Sequence, residues 1–298
     1  MSQLIQQINE HKIKLLLISA WLIILVFQSD FSSLLVEYSG FLFLGIAGAI
    51  FANSTGAGGG VVFVPFFNQL GLDNITIVAT SFAIQCCGMS AGAITWWQHN
   101  KRVHSDDPEW TGLVRGLVTT VPCSIAGVLV AQFLLATLGE SVSESLHVYF
   151  GLFSILLAVF IYMSIPLMTR QTIRTQFSVL DVICLTVIAF AGGIITAWLS
   201  VGVGELVAVY LILRGFNITF AIALAVILSA FSVWGGITYH ITESQAIYWD
   251  IILFAGAGAV IGGMIAKHVV LFFSPARLKL FFATWILVMG IAGLPLWQ

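Results

Sequence analysis

An apolar run from Phe41 to Leu72 is interrupted by the stretch Asn53-Ser54-Thr55-Gly56-Ala57-Gly58-Gly59-Gly60. Four glycines within five residues are unusual inside a membrane helix, because each costs about 1 kcal/mol relative to alanine and leaves backbone amides bare. In hydrocarbon such a break is stable only where it is buried in protein or lines a watery cavity. The stretch therefore predicts a helix that is broken at a buried or water-lined position.

A second apolar run, from Val179 to Leu213, is broken by Trp198-Leu199-Ser200-Val201-Gly202-Val203-Gly204-Glu205. Transporters built from two repeated halves carry interrupted helices in corresponding positions, and their substrates bind at these interruptions. Two such breaks in one chain favour a membrane transporter with its binding site between the breaks.

The composition is that of a membrane protein with little material outside the bilayer. Of 298 residues, 59% are hydrophobic and 8% are charged, and the mean hydropathy is +1.05. Soluble domains carry about 25% charged residues. The net charge of −2 provides no broad basic face, so the expected partner is the lipid bilayer and not nucleic acid.

The apolar runs divide into one N-terminal helix and two similar halves. Residues 1–40 are predicted to form a retained N-terminal transmembrane helix, because no cleavage-site pattern follows its apolar run. Repeat 1, residues 41–168, comprises a broken hairpin at 41–72 and spans at 75–97, 111–138 and 145–168. Repeat 2, residues 178–297, comprises a broken hairpin at 178–213 and spans at 218–240, 247–272 and 279–297.

The two halves also align residue by residue at a constant offset of 144. The matching pairs are Ala47 and Ala191, Gly48 and Gly192, Gly58 and Gly202, Gly60 and Gly204, Gly71 and Gly215, Ala79 and Ala223, and Gly92 and Gly236. Small residues are common in membrane helices, but seven matches at one offset, breaks included, favour a duplication. The predicted fold is an all-α polytopic membrane protein with an internal repeat.

The distribution of lysine and arginine predicts the orientation in the membrane. Cations cluster at Lys12/Lys14, Lys101/Arg102, Arg170/Arg174, Arg214 and Lys267/Arg277/Lys279, whereas the stretches 28–40, 139–146 and 241–249 have none. With the N-terminus in the cytoplasm, all these cations are cytoplasmic only if each broken segment enters the bilayer and returns to the same side. The C-terminus is then external.

This arrangement is an inverted repeat, in which each half has one re-entrant helical hairpin and three transmembrane helices. Each hairpin arm is expected to contain roughly 12 residues and to reach about 18 Å, less than the ~30 Å hydrocarbon core. The glycine tips would then meet near the midplane. The alternative is that the two broken segments are kinked helices that cross the bilayer completely.

Several of these residues resemble the TauE/SafE family of membrane proteins, also called the TSUP or sulfite exporter family. The shared features are Gly58-Gly59-Gly60, Pro65 five positions later, and Val78-Ala79-Thr80-Ser81 at the start of the next span. The resemblance covers roughly 41–297, although Gly202-Val203-Gly204-Glu205 replaces a full glycine triplet in the second half. It implies a secondary transporter of small sulfur-containing anions, such as sulfite or sulfonates, that acts across a bacterial-type inner (plasma) membrane, commonly outward.

The glycines at the breaks can bind such an anion through the backbone. Successive N–H groups in a glycine turn form an anion-binding nest, and the helix that resumes at Val61 adds the positive end of its dipole. The substrate-binding residues predicted at the breaks are Ser54, Thr55, Gly56, Gly58, Gly59, Gly60, Ser200, Gly202 and Gly204. The alternative is that these glycines only permit close helix packing.

Ser81 and Gln85 lie four residues apart on the span that follows the first break, so they share one helix face. An unsatisfied amide in hydrocarbon is costly, so Gln85 is expected to bind either the substrate or a neighbouring helix. Both residues are included in the predicted substrate site. The repeat makes Ser229 the equivalent of Gln85.

Glu205 is the only carboxylate beside either break. An ionised carboxylate ~5 Å from a bound anion costs about 3 kcal/mol at an effective dielectric constant of ~20. Either the side chain turns toward water or a cation, or it takes up a proton when the anion binds. The second case predicts a proton-coupled carrier with Glu205 as the coupling residue.

Asp181, near a predicted helix end, is expected to reach water.

Two other functions are compatible with the sequence. A membrane-embedded, sulfur-handling protein could use the adjacent thiols of Cys86 and Cys87, but an activated thiolate needs a cation or base nearby. The span at 75–97 contains no Lys, Arg or His, so an enzyme is not expected. The cysteines show no metal-ligand spacing, so neither a metal nor a cofactor is expected. The second alternative is an anion channel with the breaks as its filter.

Overall fold

The structure is a computed structural model that describes residues 19–28, 31–134, 146–165, 174–292 and 294. Within these residues the chain is helical apart from its loops and one isolated bridge between Arg174 and Phe216. Five of the described helices are long and apolar enough to cross a membrane, or up to six if a bent N-terminal pair is one span. The predicted all-α class with several membrane-spanning helices is confirmed.

The described helices, in chain order, are α1 (Ser19–Val26), α2 (Phe31–Tyr38), α3 (Phe41–Thr55), α4 (Gly60–Gln69), α5 (Asn74–Val103), α6 (Leu113–Leu129), α7 (Leu146–Ser164), α8 (Val179–Leu199), α9 (Val203–Leu213), α10 (Ile218–Tyr239), α11 (Trp249–Phe272) and α12 (Pro275–Ala292). Helices α6 and α10 continue as short π-helical turns to Leu134 and Ser244.

Part of the N-terminal helix predicted for 1–40 lies outside the described residues, as do the ends of the predicted spans 111–138, 145–168 and 279–297. The described N-terminal part is the two short helices α1 and α2, whose axes differ by 115°. The Trp21 indole N–H donates to the Leu253 carbonyl (2.7 Å), and the hydroxyls of Tyr38 and Tyr248 are hydrogen-bonded (2.6 Å). Both short helices therefore contact α11 or the residue that precedes it.

The helices on either side of the first break, α3 and α4, run antiparallel and side by side. The Phe41 ring, at the start of α3, lies 6.2 Å from the rings of both Phe66 and Phe67, near the end of α4. The 15 residues of α3 and the 10 of α4 extend about 22 Å and 15 Å at 1.5 Å per residue. Each helix is therefore shorter than a ~30 Å hydrocarbon core.

The helices on either side of the second break, α8 and α9, also fold back on each other. Asp181, in the first turn of α8, accepts hydrogen bonds from the Tyr210 hydroxyl (2.9 Å) and the Arg214 guanidinium (2.6 Å) at the end of α9. Its second oxygen accepts from the Ser178 backbone N–H in a capping box (2.9 Å). The expectation that Asp181 reaches water is wrong, because these partners bury its side chain completely.

The expected length of roughly 12 residues per arm is wrong for α8, which has 21 residues and extends about 31 Å. The helix continues through Gly192 and Gly193, and both glycines lie against the backbone of neighbouring segments. A Cβ at Gly193 would overlap the Ser124 carbonyl of α6. Gly45 similarly allows α3 to approach the Ala255 carbonyl of α11. Small residues permit such backbone approach in membrane proteins.

The two antiparallel pairs have their open ends at opposite ends of α5. The first pair ends at Gln69, and α5 begins only five residues later at Asn74. The second pair is followed by Phe216, whose ring lies 5.9 Å from that of Phe220. The Phe220 ring in turn lies 6.0 Å from Trp110, which follows the C-terminal end of α5. The glycine breaks of both pairs therefore lie between the two ends of the molecule.

Candidate functional site

The two breaks contact each other directly. Gly60 lies against the Ser200 carbonyl, and Gly204 lies against the Gly56 carbonyl, so a Cβ at either glycine would overlap backbone atoms of the opposite break. A Cβ at Gly58 would lie only 3.1 Å from the Ser200 carbonyl oxygen. The glycines therefore allow the two breaks to pack closely, as the packing alternative in the sequence analysis expected. The same close approach brings backbone amides of both breaks together.

Glu205 joins the two breaks through backbone amides. Its Oε1 accepts a hydrogen bond from the Gly58 N–H, and its Oε2 accepts one from the Gly202 N–H, both at 2.9 Å. The side chain is only 3% exposed. No lysine, arginine or histidine of the described residues forms an ion pair with it. The amides of the two breaks therefore hold a buried carboxylate without a cation.

Gln85 makes a second connection between the breaks. Its Oε1 accepts from the Gly59 N–H (2.8 Å), while its Nε2 lies 3.1 Å from the Ser200 carbonyl oxygen and 2.8 Å from the Ser200 hydroxyl. Ser81 is 3.2 Å from the same Nε2 and accepts a hydrogen bond from the Ser200 hydroxyl (2.8 Å). The predicted shared face of Ser81 and Gln85 is confirmed, and both side chains bind the backbone or side chain of a break.

Each break ends its first helix with a left-handed residue. Gly56 (φ 79°) follows α3, and Ser200 (φ 60°) follows α8. Gly202 has φ 145°, whereas Gly59 is right-handed at φ −62°. A positive φ in a non-glycine residue such as Ser200 is uncommon. Here the Ser200 side chain is tied down by its hydrogen bonds to Ser81 and Gln85.

The Ser54 and Thr55 hydroxyls do not contact the Gly58 and Gly202 amides that bind Glu205. The Ser54 hydroxyl donates to the Ala266 carbonyl of α11 (3.3 Å). The Thr55 hydroxyl donates to the Phe51 carbonyl (2.9 Å) and accepts from the Ala57 N–H (2.9 Å), so it fixes the end of α3. The remaining predicted site residues, namely Gly56, Gly58, Gly59, Gly60, Ser81, Gln85, Ser200, Gly202, Gly204 and Glu205, are brought together.

Two further polar residues at this site were not among the predicted binding residues. The Thr196 hydroxyl accepts from the Val203 N–H (3.0 Å) at the start of α9. The Ser229 hydroxyl lies beside Gly204, is buried, and has no hydrogen-bond partner in the described part of the chain. The repeat indicated Ser229 as the counterpart of Gln85, whereas the position equivalent to Thr196 is Ala52, so no signal distinguished Thr196.

The chemical capacity of the site is to bind an anion by neutral donors. The Gly58 and Gly202 N–H groups converge on one buried carboxylate, and donors in a buried site stabilise an oxyanion more strongly than they would in water. Within the described residues no three His, Cys, Asp or Glu side chains are grouped as metal ligands. Cys86 and Cys87 are free thiols on α5.

A comparison with protein families places these features in a known context. The family model described as "Sulfite exporter TauE/SafE" matches residues 41–293. The matched range contains both breaks and every hydrogen bond that joins them. No curated protein and no solved structure matches the chain.

Proposed function

The chain belongs to the sulfite exporter TauE/SafE family, and we propose that it carries sulfite or a related small sulfur oxyanion by binding it between the two glycine breaks. Members of this family are transporters of sulfite-type anions and not enzymes, and the chain is an integral membrane protein. The proposal extends this family role to a binding site, a direction and a coupling mechanism. The proposed direction is export from the cytoplasm across a bacterial-type inner membrane.

The observation that carries the proposal is the buried Glu205 carboxylate, which is bound by the Gly58 and Gly202 N–H groups at 2.9 Å. A carboxylate and a sulfur oxyanion both offer negatively charged oxygens to hydrogen-bond donors. Donors that hold the first in a buried site can hold the second. The substrate is therefore proposed to bind to the same amides that bind the Glu205 carboxylate when no substrate is present.

Glu205 and the substrate cannot occupy the same amides together. Two unit negative charges ~5 Å apart repel by about 3 kcal/mol at an effective dielectric constant of ~20. The substrate must therefore displace the ionised side chain or bind after the side chain has taken up a proton. The second route moves a proton with each anion, and we assign Glu205 as the proton-coupling residue on this basis.

The membrane arrangement proposed for the two antiparallel pairs is re-entrant and inverted. Each pair returns to the end at which it started, and the two pairs open at opposite ends of α5, as the Phe41 and Asp181 contacts indicate. Placed in a bilayer, the first pair enters from outside and the second from the cytoplasm. Their breaks then meet within the bilayer and separate the two aqueous sides.

Cysteine labelling tests this orientation. In a cysteine-free background, Ser105→Cys and Gln245→Cys each introduce one exposed thiol in a loop. We expect an impermeant maleimide to label Gln245→Cys in intact cells, because the stretch 241–249 lacks cations, and to label Ser105→Cys only after the membrane is opened. Labelling of both positions from the same side would contradict the proposed topology.

Ligand screening of the purified protein tests the function. We expect sulfite or a sulfonate to raise the Tm in a screen that also contains sulfate, thiosulfate, taurine, sulfoacetate and simple carboxylates. A ligand at one hundred times its Kd stabilises the folded state by about 2.7 kcal/mol. In proteoliposomes the same anion should show saturable flux. Flux that rises linearly with concentration would indicate a channel and contradict the carrier proposal.

A substitution at Gly59 tests the location of the site in the same assay. The atoms nearest to the Cβ of Gly59→Val belong to side chains, the Phe63 ring (2.6 Å) and Gln85 (3.0 Å), and not to the backbone of the opposite break. We expect the variant to fold but to lose the anion-dependent rise in Tm. Gly40→Val, where a Cβ has open space, is the matched control. A full Tm response in folded Gly59→Val would place the anion elsewhere.

A further inference from the structure

A slot of about 490 Å³ lies between the first antiparallel pair and the C-terminal helix. Residues of α3, α4, α12 and the end of α11 form its walls. We call it the lateral slot, and it is lined by Ala47, Ile50, Phe51, Val62, Val269, Phe273, Arg277, Phe281 and Trp285. Every lining side chain except Arg277 is apolar.

The slot has the shape of a site for an acyl chain beside a charged group. Arg277, Phe281 and Trp285 are spaced four residues apart on α12 and share one face, so the slot follows this helix for about 12 Å from Arg277. The Trp285 ring lies 6.3 Å from that of Phe51, so aromatic rings from both walls meet at the end distant from Arg277. Along this length the slot offers an acyl chain almost entirely apolar side chains to contact.

Arg277 makes the slot amphipathic. Its side chain is exposed, and no carboxylate of the described residues forms an ion pair with it. A guanidinium binds phosphate oxygens in a bidentate manner. Arg277, near the start of α12, and Lys267, near the end of α11, both lie on the side that the lysine and arginine distribution makes cytoplasmic. Anionic lipids of that leaflet are attracted to basic side chains near the membrane surface, and basic pockets between helices bind their head groups.

We propose that the lateral slot binds an anionic phospholipid of the surrounding bilayer, with its phosphate on the Arg277 guanidinium and one acyl chain between α12 and α3. The acyl chain would contact Ala47 and Ile50 of α3 and Val62 of α4. These helices carry the first glycine break. The lipid would therefore support the antiparallel pair from the side that faces α12.

Native mass spectrometry of the purified, delipidated protein tests this proposal, with phosphatidylglycerol and phosphatidylcholine of the same acyl chains as probes. We expect wild-type protein to retain phosphatidylglycerol preferentially, and Arg277→Gln to weaken that retention about tenfold because the charged contact is lost. Arg277→Lys should keep most of the preference. Arg115→Gln removes an exposed arginine of α6 that does not line the slot, and it should behave like wild type.

A second substitution tests the acyl-chain half of the slot. Ala47→Phe fills the slot from α3, so retention of both lipids should fall. Equal retention of the two lipids by wild type, or unchanged phosphatidylglycerol retention in Arg277→Gln, would overturn the proposal. So would unchanged retention in Ala47→Phe, or a wild-type dimer that Ala47→Phe dissociates, because a second copy would then fill the slot. If Arg277→Gln does not fold, the wild-type preference and Ala47→Phe decide.

Discussion

Replacement of Glu205 by glutamine is expected to remove the pH dependence of anion transport and to tighten anion binding about a hundredfold where the glutamate is ionised. The Glu205 carboxylate occupies the Gly58 and Gly202 amides, so an incoming anion must overcome both its charge and its hydrogen bonds. Removal of about 3 kcal/mol of repulsion corresponds to a factor of about one hundred in Kd.

The direction of the pH effect follows from the same competition. In wild type, the ionised Glu205 carboxylate accepts the hydrogen bonds of the two amides, whereas the protonated form leaves these amides available to the anion. Anion binding should therefore strengthen as the pH falls. Glutamine cannot ionise, so the affinity of the variant for the anion should not change with pH. Sulfite flux in proteoliposomes, measured for both proteins at each pH, provides the test. Titration of sulfite itself cancels in the ratio of the two rates.

Two further variants separate competition from simple loss of structure. Glu205→Ala leaves the Gly58 and Gly202 N–H groups without their acceptor. It should therefore also bind anion more tightly than wild type, although the capping contact to Gly202 is lost. Glu243→Gln removes an exposed carboxylate outside the site and should keep the wild-type pH profile. Weaker anion binding in both Glu205 variants would show that the carboxylate does not compete. An unchanged pH profile in Glu205→Gln would exclude Glu205 from coupling.

The positions of the two breaks could be predicted because their signals are local. A helix that ends in a left-handed residue favours glycine there, as at Gly56, and the positive φ of Gly202 before α9 also favours glycine. The need of Gln85 for a partner was also predictable, since an apolar span offers it none. Ser200 could not be recognised as a left-handed position, because its conformation depends on side-chain contacts with Ser81 and Gln85, far away in sequence.

The sequence predicted that the two breaks meet, but the residue pairs that connect them could not be predicted. The hydrogen bond from Gly58 to Glu205 joins residues 147 positions apart, and no periodicity or spacing specifies such a pair. The same limit applies to Asp181. Its nearness to a helix end suggested exposure, but Tyr210 and Arg214, 29 and 33 residues later, fold back and bury it. Binding of the substrate between the breaks stays a prediction.

The packing of the two breaks makes a second strong prediction, at Gly204. A Cβ in Gly204→Ala would overlap the Gly56 carbonyl and crowd the Ser229 hydroxyl. A backbone carbonyl cannot move aside as a side-chain tip can, so the breaks must separate. Overpacking of this kind costs about 1–3 kcal/mol, and at the upper end the ratio of joined to separated breaks falls about a hundredfold. We expect a lower Tm and nearly complete loss of sulfite transport.

Gly60→Ala tests the same interface from the opposite break, because its Cβ would overlap the Ser200 carbonyl. Since either substitution separates the same two surfaces, the double variant should lose less stability than the sum of the single losses. Gly40→Ala, where nothing lies within 4 Å of the new Cβ, should retain wild-type Tm and transport. Full activity of Gly204→Ala at an unchanged Tm would mean that transport does not require contact between the breaks. Additive losses in the double variant would mean that the two glycines act at independent sites.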